Sequence, residues 1–193
     1  FHPKFENENP EQSIRKQMLE VYESGYLEAS IKHSGSLLLW SGGSRFYSKN
    51  SLDNQFTAAG EILLRQHVVR AFWNEQDDDK FVQCSNFVEH YRLTLSFEVV
   101  TAFLADHGAK PRRDFLILTA VADRSTARFY STVQLMEFAQ RFRLPHNDCW
   151  VFTSPTSIQA LFELYDRSRE TGTTSTVVPA LMDVADVCVQ SMY

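Results

Sequence analysis

The sequence predicts an α+β domain in which largely antiparallel strands carry helices on their outside. Two observations point there. Strand-like runs at residues 26–32, 36–40 and 44–49 follow one another through short polar turns. Helical-period segments with recognisable caps precede and follow the two longest β-rich runs. High aromatic content, with 15 Phe, 7 Tyr and 3 Trp in 193 residues, supports a well-packed core. No repeat or composition break divides residues 1–193, so a single domain is expected.

Ile14, Met18, Val21 and Tyr22 recur at helical spacing, and Gly25 marks a C-terminal stop. Gly42-Gly43 turns the 36–40 strand into "SRFYSK", with Phe46 and Ser48 on one face and Tyr47 on the other. A helix follows over 58–73, with Ile62, Leu63, Val69 and Phe72 as its apolar positions. "NEQDDDK" reads as a solvated loop, and a short helix is expected near Phe87 to Tyr91. "LTLSFEVVTAFL" and "FLILTAVAD" are β-rich runs joined by "ADHGAKPRRD". Ser131 and Gln134 form a capping-box pattern ahead of a helix bearing Leu135, Phe138 and Phe142. "CWVF" is a short strand. Ser154, Pro155 and Gly172 bracket a last clear helix, and "TVVPALMDVADVCV" fits neither period cleanly.

The formal charge of −5 argues against a uniformly basic nucleic-acid footprint but leaves room for a local basic cleft. Cys84, Cys149 and Cys188 are odd in number and far apart, without zinc spacing, so reduced thiols and an intracellular setting, nucleus or cytoplasm, are expected. No apolar run is long enough to span a bilayer, and no membrane role is expected. The first residue is Phe1, which leads to the expectation of a segment from within a longer protein.

Lys32 has two readings. One is an exposed lysine at a strand end; the other is a nucleophile beside a Ser-Gly turn, with Arg45 and Lys49 following. An ammonium has no lone pair, and neighbouring cations or desolvation lower the pKa from about 10.4 and free the amine. Without a Schiff-base cofactor, such an amine suits attack on the α-phosphate of a nucleoside triphosphate. Glu98 is either a water-facing acid on an edge strand or a buried acid that needs a hydrogen-bond partner. "DHGAKPRR" is either a solvated loop or a phosphate contact, since arginine forks match phosphate oxygens. His2, His33, His67, His90 and His146 show no metal or triad spacing; His33 merely adjoins Lys32.

Several blocks in order along the chain add to this reading. "PKFENE" (3–8), "SIKHSGSLLLWSGG" (30–43), "YSKNS" (47–51) and "LSFEVVTAFLADHGAKPRRDF" (95–115), then "FYST", "FRLPHNDCWVF" and "DVADV", resemble the ligase domain of plant-type tRNA ligases. The resemblance implies a nucleotidyltransferase fold of the RNA/DNA-ligase kind, unrelated to ATP-grasp, and an ATP-dependent RNA ligase working with Mg²⁺. By motif, Lys32 resembles the adenylylated lysine and Gly35 its fixed partner. Ser34 replaces the acid found there in DNA ligases and capping enzymes, as in tRNA ligases. Lys49, Asn50 and Glu98 fall at nucleotide-contacting positions, with Glu98 toward the ribose. Phe5 either stacks on adenine or docks the first helix. Arg45, Lys110, Arg112 and Arg113 are assigned to RNA or phosphate contact, and no residue to a metal.

The implied partners are ATP and RNA, with tRNA exon halves as substrate. End-healing kinase and cyclic phosphodiesterase domains are expected in the parent chain. The sequence departs from the family in having no Glu-Gly pair and no lysine after Lys110, so the later metal- and phosphate-binding motifs are missing. Truncation ahead of those motifs is expected, with weak self-adenylylation by the segment alone. A non-catalytic nucleotide- or RNA-binding module derived from the same fold is the alternative.

Overall fold

The computed structural model describes residues 12–21, 25–49, 51–73, 80–103, 111–172 and 177–192. In order, the elements are α1 (Gln12–Val21), β1 (Leu27–Ser30), β2 (Ser36–Trp40), β3 (Phe46–Ser48), α2 (Gln55–Ala71), α3 (Lys80–His90) and β4 (Leu93–Val100). They continue with β5 (Phe115–Asp123), β6 (Arg128–Phe129), α4 (Thr132–Phe142), β7 (Cys149–Phe152), α5 (Pro155–Thr171), α6 (Val177–Val184) and β8 (Val187–Val189). Every pairing between these strands is antiparallel, and the α+β expectation is borne out.

These elements gather into two compact units. One comprises residues up to Ile31 with Asp148–Gln190; the other comprises Lys32–Asn147 and the residues after Gln190. The first holds a three-stranded sheet of order β1-β7-β8, with Trp150, Phe152, Ile158, Phe162 and Leu181 as its core. Arg15 grips Asp166 through both guanidinium nitrogens at 2.6 Å, joining α1 to α5. Asp186 accepts from Thr153 N–H, the Thr153 hydroxyl and the Ser157 hydroxyl, which anchors the start of α5.

The second unit holds a five-stranded sheet of order β3-β2-β4-β5-β6. Alternation along the strands sends Leu38, Trp40, Leu95, Phe97, Val99, Leu116 and Leu118 to one face, where they meet Leu64, Val68, Val88 and Phe138 of the helices. Each such burial contributes about 1.5–3 kcal/mol. The opposite face carries Leu37, Glu98 and Ile117 in register across β2, β4 and β5.

The predicted caps are present. Ser131 and Gln134 form a reciprocal capping box on α4; Ser154 caps α5, Pro155 opens it, and Gly172 closes it at φ 64°. The segment without a clear period resolves into α6 and β8, and the short helix before β4 extends back to Lys80. The inward face of α2 differs from expectation. Ile62 and Val69 are 55% and 61% exposed, and Thr57, Gly60, Leu64 and Val68 are buried. The cause is steric: a Cβ on Gly60 would lie 2.6 Å from a Leu38 methyl, so the smallest residue marks the closest helix–sheet approach. Most of the predicted "NEQDDDK" loop and residues 104–110 lie outside the described residues. Among the described residues, no helix is long and apolar enough to cross a membrane.

Candidate functional site

β2 starts where β4 ends and β5 begins, because Ser36 pairs with Val99 and Val100 with Phe115. This end of the five-stranded sheet therefore collects residues that are distant in sequence. Lys32 leads into β2 from an exposed position and takes no hydrogen bond or ion pair among the described residues. Gly35 follows, pressed against β4. A Cβ there would stand 2.4 Å from the Val99 carbonyl oxygen and 2.9 Å from its carbon. Glycine is needed because backbone fills the space of a side chain.

The Gly35 N–H donates to Glu98 Oε1 at 2.9 Å. β4 lies between β2 and β5, so Glu98 is on an interior strand, half-buried, and not on an edge. One carboxylate oxygen satisfies the Gly35 amide. The other takes no hydrogen bond among the described residues and is open to a donor such as a ribose hydroxyl.

His33, beside Lys32, is held twice. Its ring meets Phe115 edge-on at 5.5 Å, and its Nε2 lies 2.9 Å from Asn147 Oδ1. The sequence offered only adjacency to Lys32 as a signal for His33, and nothing for Asn147. Lys49 is exposed one residue beyond Ser48, which pairs with Leu38, and so returns to the Lys32 end of β2. Arg45 does not. It sits beyond the far end of β2, roughly 13 Å of strand away, where it pairs with Glu89 at 2.9 Å and donates to the Ser41 carbonyl. Arg112 and Arg113 are exposed just before β5, at the Lys32 end. Phe5, Asn50 and Lys110 lie outside the described residues.

A cavity of about 410 Å³ opens between α2 and the start of β5. Gln66, His67 and Arg70 of α2 line one side; Arg113, Phe115 and Ile117 line the other. His67 Nε2 donates to the Arg143 carbonyl at 2.7 Å. Burial, with a smaller contribution from the Arg70 charge, holds its pKa below the ordinary histidine value. Nothing in the sequence singles out Arg70, and His67 shows no metal or triad spacing there; helix–sheet packing brings both to the cavity. Among the described residues, no three His, Cys, Asp or Glu side chains gather as a metal site.

No protein-family model matches the chain. It is 39% identical over 194 aligned residues, 98% of its own length, to tRNA ligase 1 of Arabidopsis thaliana, and spans 18% of that relative. Among solved structures, the Naegleria gruberi RNA ligase with AMP and Mn matches 83% of this chain and 47% of its own, at 16% identity and a TM-score of 0.57. A form of the same ligase with ATP and Mn matches 78% and 44%, at 16% identity and a TM-score of 0.55. The fold is thus the one these RNA ligases share, as the resemblance implied.

Proposed function

We infer that this chain, a tRNA-ligase relative along 98% of its length, is the lysine-bearing part of an ATP-dependent RNA ligase. The carrying observation is the Lys32 end of the sheet, where a lysine without a partner among the described residues leads into a glycine pinned by Glu98 at 2.9 Å. In this reading the deprotonated Lys32 amine attacks the α-phosphorus of ATP. The P–N bond forms as the bond to the bridging oxygen breaks, and pyrophosphate leaves. The RNA 5′-phosphate then takes the AMP with the lysine amine as leaving group, and an RNA 3′-hydroxyl displaces AMP to form the phosphodiester.

Gly35 and Glu98 hold the approach to the nucleotide, with Glu98 Oε2 toward the ribose; Lys49 serves the phosphates, and Asn50 and Phe5 complete the nucleotide contacts. Arg112, Arg113 and Lys110 meet RNA phosphates. Arg45, spoken for by Glu89, has a lesser claim to such a role. Mg²⁺ would neutralise phosphate charge.

The substrate reading is tRNA exon halves, acting in nucleus or cytoplasm, with end-healing kinase and cyclic phosphodiesterase domains in a longer protein. The missing Glu-Gly pair and late lysine support a second reading, a non-catalytic binding module of the same fold. Incubation with ATP labelled at the α-phosphate separates the two. We expect a Lys32–AMP adduct in the longest natural protein carrying this chain, weak labelling of the chain alone, and none in Lys32→Ala. No label in that longer protein would overturn the ligase reading.

A further inference from the structure

We propose that the cavity beside β5 is a subsite for a backbone phosphate of the RNA strand being joined, held by Arg70 and Arg113. The proposal rests on the ligase reading above and deepens it: Arg113, assigned there to RNA phosphates, gains Arg70 as a partner across one cavity.

The cavity exists because β5 has an open edge there. β5 pairs with β4 on one side, and β6 reaches only Ala122 and Asp123 on the other. On that open side the Leu118 N–H donates to the Pro145 carbonyl at 2.8 Å. Antiparallel alternation aims the Leu116 N–H and C=O the same way, into the cavity. A sheet edge thus presents main-chain polar groups to a space of about 410 Å³, the scale of a small-ligand pocket.

α2 closes the space with Leu63, Gln66, His67 and Arg70, whose spacing places them on one helical face. Arg15, Arg45 and Arg65 take carboxylate partners. Arg70 and Arg113 take none among the described residues, although the chain carries a net charge of −5. Asp114 also lines the cavity, but its Oδ1 accepts from the Ala102 N–H at 2.8 Å. His67 is tethered through Nε2 to the Arg143 carbonyl, so a neutral ring leaves only Nδ1 as an acceptor. Two guanidinium charges therefore face the single Asp114 carboxylate, which leaves the lining net positive, and the guanidinium groups present planar donor forks suited to phosphate oxygens.

Position selects RNA over an unrelated anion. Ile117 lines the cavity and pairs with Glu98; Phe115 lines it and touches the His33 ring. The cavity begins one strand, about 4.8 Å, from the acid that pins Gly35. An RNA end reaching Lys32 runs past it, and the apolar walls of Leu63, Phe115 and Ile117 suit a sugar or base edge.

The test measures binding of a short 5′-phosphorylated single-stranded RNA to the chain, by fluorescence anisotropy across a salt series. Arg70→Ala and Arg113→Ala should each weaken binding about tenfold. The double variant should reduce the log–log salt slope by about 1.4, as expected for two lost phosphate contacts on a single strand. Arg128→Ala with Arg167→Ala removes equal charge from exposed sites outside the cavity and should change affinity less than twofold. Circular dichroism checks that each variant is folded. An unchanged slope in the folded double variant, an equal loss in the control, displacement of the RNA by equimolar pyrophosphate, or no RNA binding by the wild type would each overturn the proposal. Labelling of Lys32 in the longest natural protein is read separately, so a failed subsite and a failed ligase reading give different results.

Discussion

The Gly35 N–H donates to Glu98 Oε1 at 2.9 Å across 63 residues of sequence, so the acid on β4 fixes the backbone that carries Lys32. A hydrogen bond to a charged acceptor is worth roughly 1.5–3 kcal/mol. Glu98→Ala should therefore lower stability by about 1–3 kcal/mol in urea unfolding and slow Lys32 adenylylation more than tenfold. Glu98→Gln keeps an acceptor for Gly35 and should lose less stability. Equal stability losses in the two variants would show that the amide contact contributes little.

Gly35→Ala should be costly for a different reason. Its Cβ would meet the Val99 carbonyl at 2.4 Å, and backbone cannot swing aside as a side-chain tip can. About 1–3 kcal/mol of destabilisation is expected, read as a lower thermal midpoint. Gly25→Ala is the comparison, because nothing lies within 4 Å of its Cβ position. A midpoint for Gly35→Ala equal to that of Gly25→Ala would contradict the close-approach account.

Lys32→Ala should leave the fold intact. The side chain is exposed and unpartnered among the described residues, and such substitutions usually stay within about 0.5 kcal/mol. Loss of the AMP adduct with an unchanged unfolding curve would assign the loss to chemistry. A collapsed variant would point instead to a structural role.

His67 predicts a pH dependence. Burial holds its folded pKa below the ordinary 6.5, so the unfolded chain binds the proton more readily. Stability from this group is complete above about pH 6.5, falls as pH drops toward the folded pKa, and is level below it. His67→Gln should remove that part of the slope in thermal unfolding as pH falls below about 6.5. Asp123, Asp166 and Asp186 have folded pKa values lowered chiefly by hydrogen bonds to Ser125, Arg15 and Thr153 respectively. Their contribution is therefore lost only in more acid solution, below about pH 4.

The thiols should be sluggish in the native state. Burial pushes Cys84 up to about 12 and Cys149 up to about 11, and it raises Cys188 as well. Since the thiolate is the reactive form, alkylation at mildly alkaline pH should reach Cys188 first and Cys84 last. Mass spectrometry of time points checks the order, and denaturant should erase it.

Local signals were legible wherever a few adjacent residues settle the outcome. Ser131 with Gln134, and Ser154 with Pro155 and Gly172, cap their helices as their spacing requires, because a cap closes within one turn. β2, β4 and β5 were visible from their β-rich composition. The face of α2 was not, since Ile62 and Val69 outweigh Gly60 in any hydrophobic count, yet Gly60 alone permits contact with Leu38.

The sequence by itself determined the type of most elements, the ordered blocks that resemble plant-type tRNA ligases, and Lys32 as the residue to watch. Tertiary structure decided which residues join it. Strand register brought Glu98 to Gly35 and Phe115 to His33, and it carried Arg45 to the far end of β2. Helix–sheet packing set Arg70 and Arg113 around one cavity. Neighbouring side chains encode their own turns and caps, but pairings across dozens of residues are fixed only when close packing selects one register.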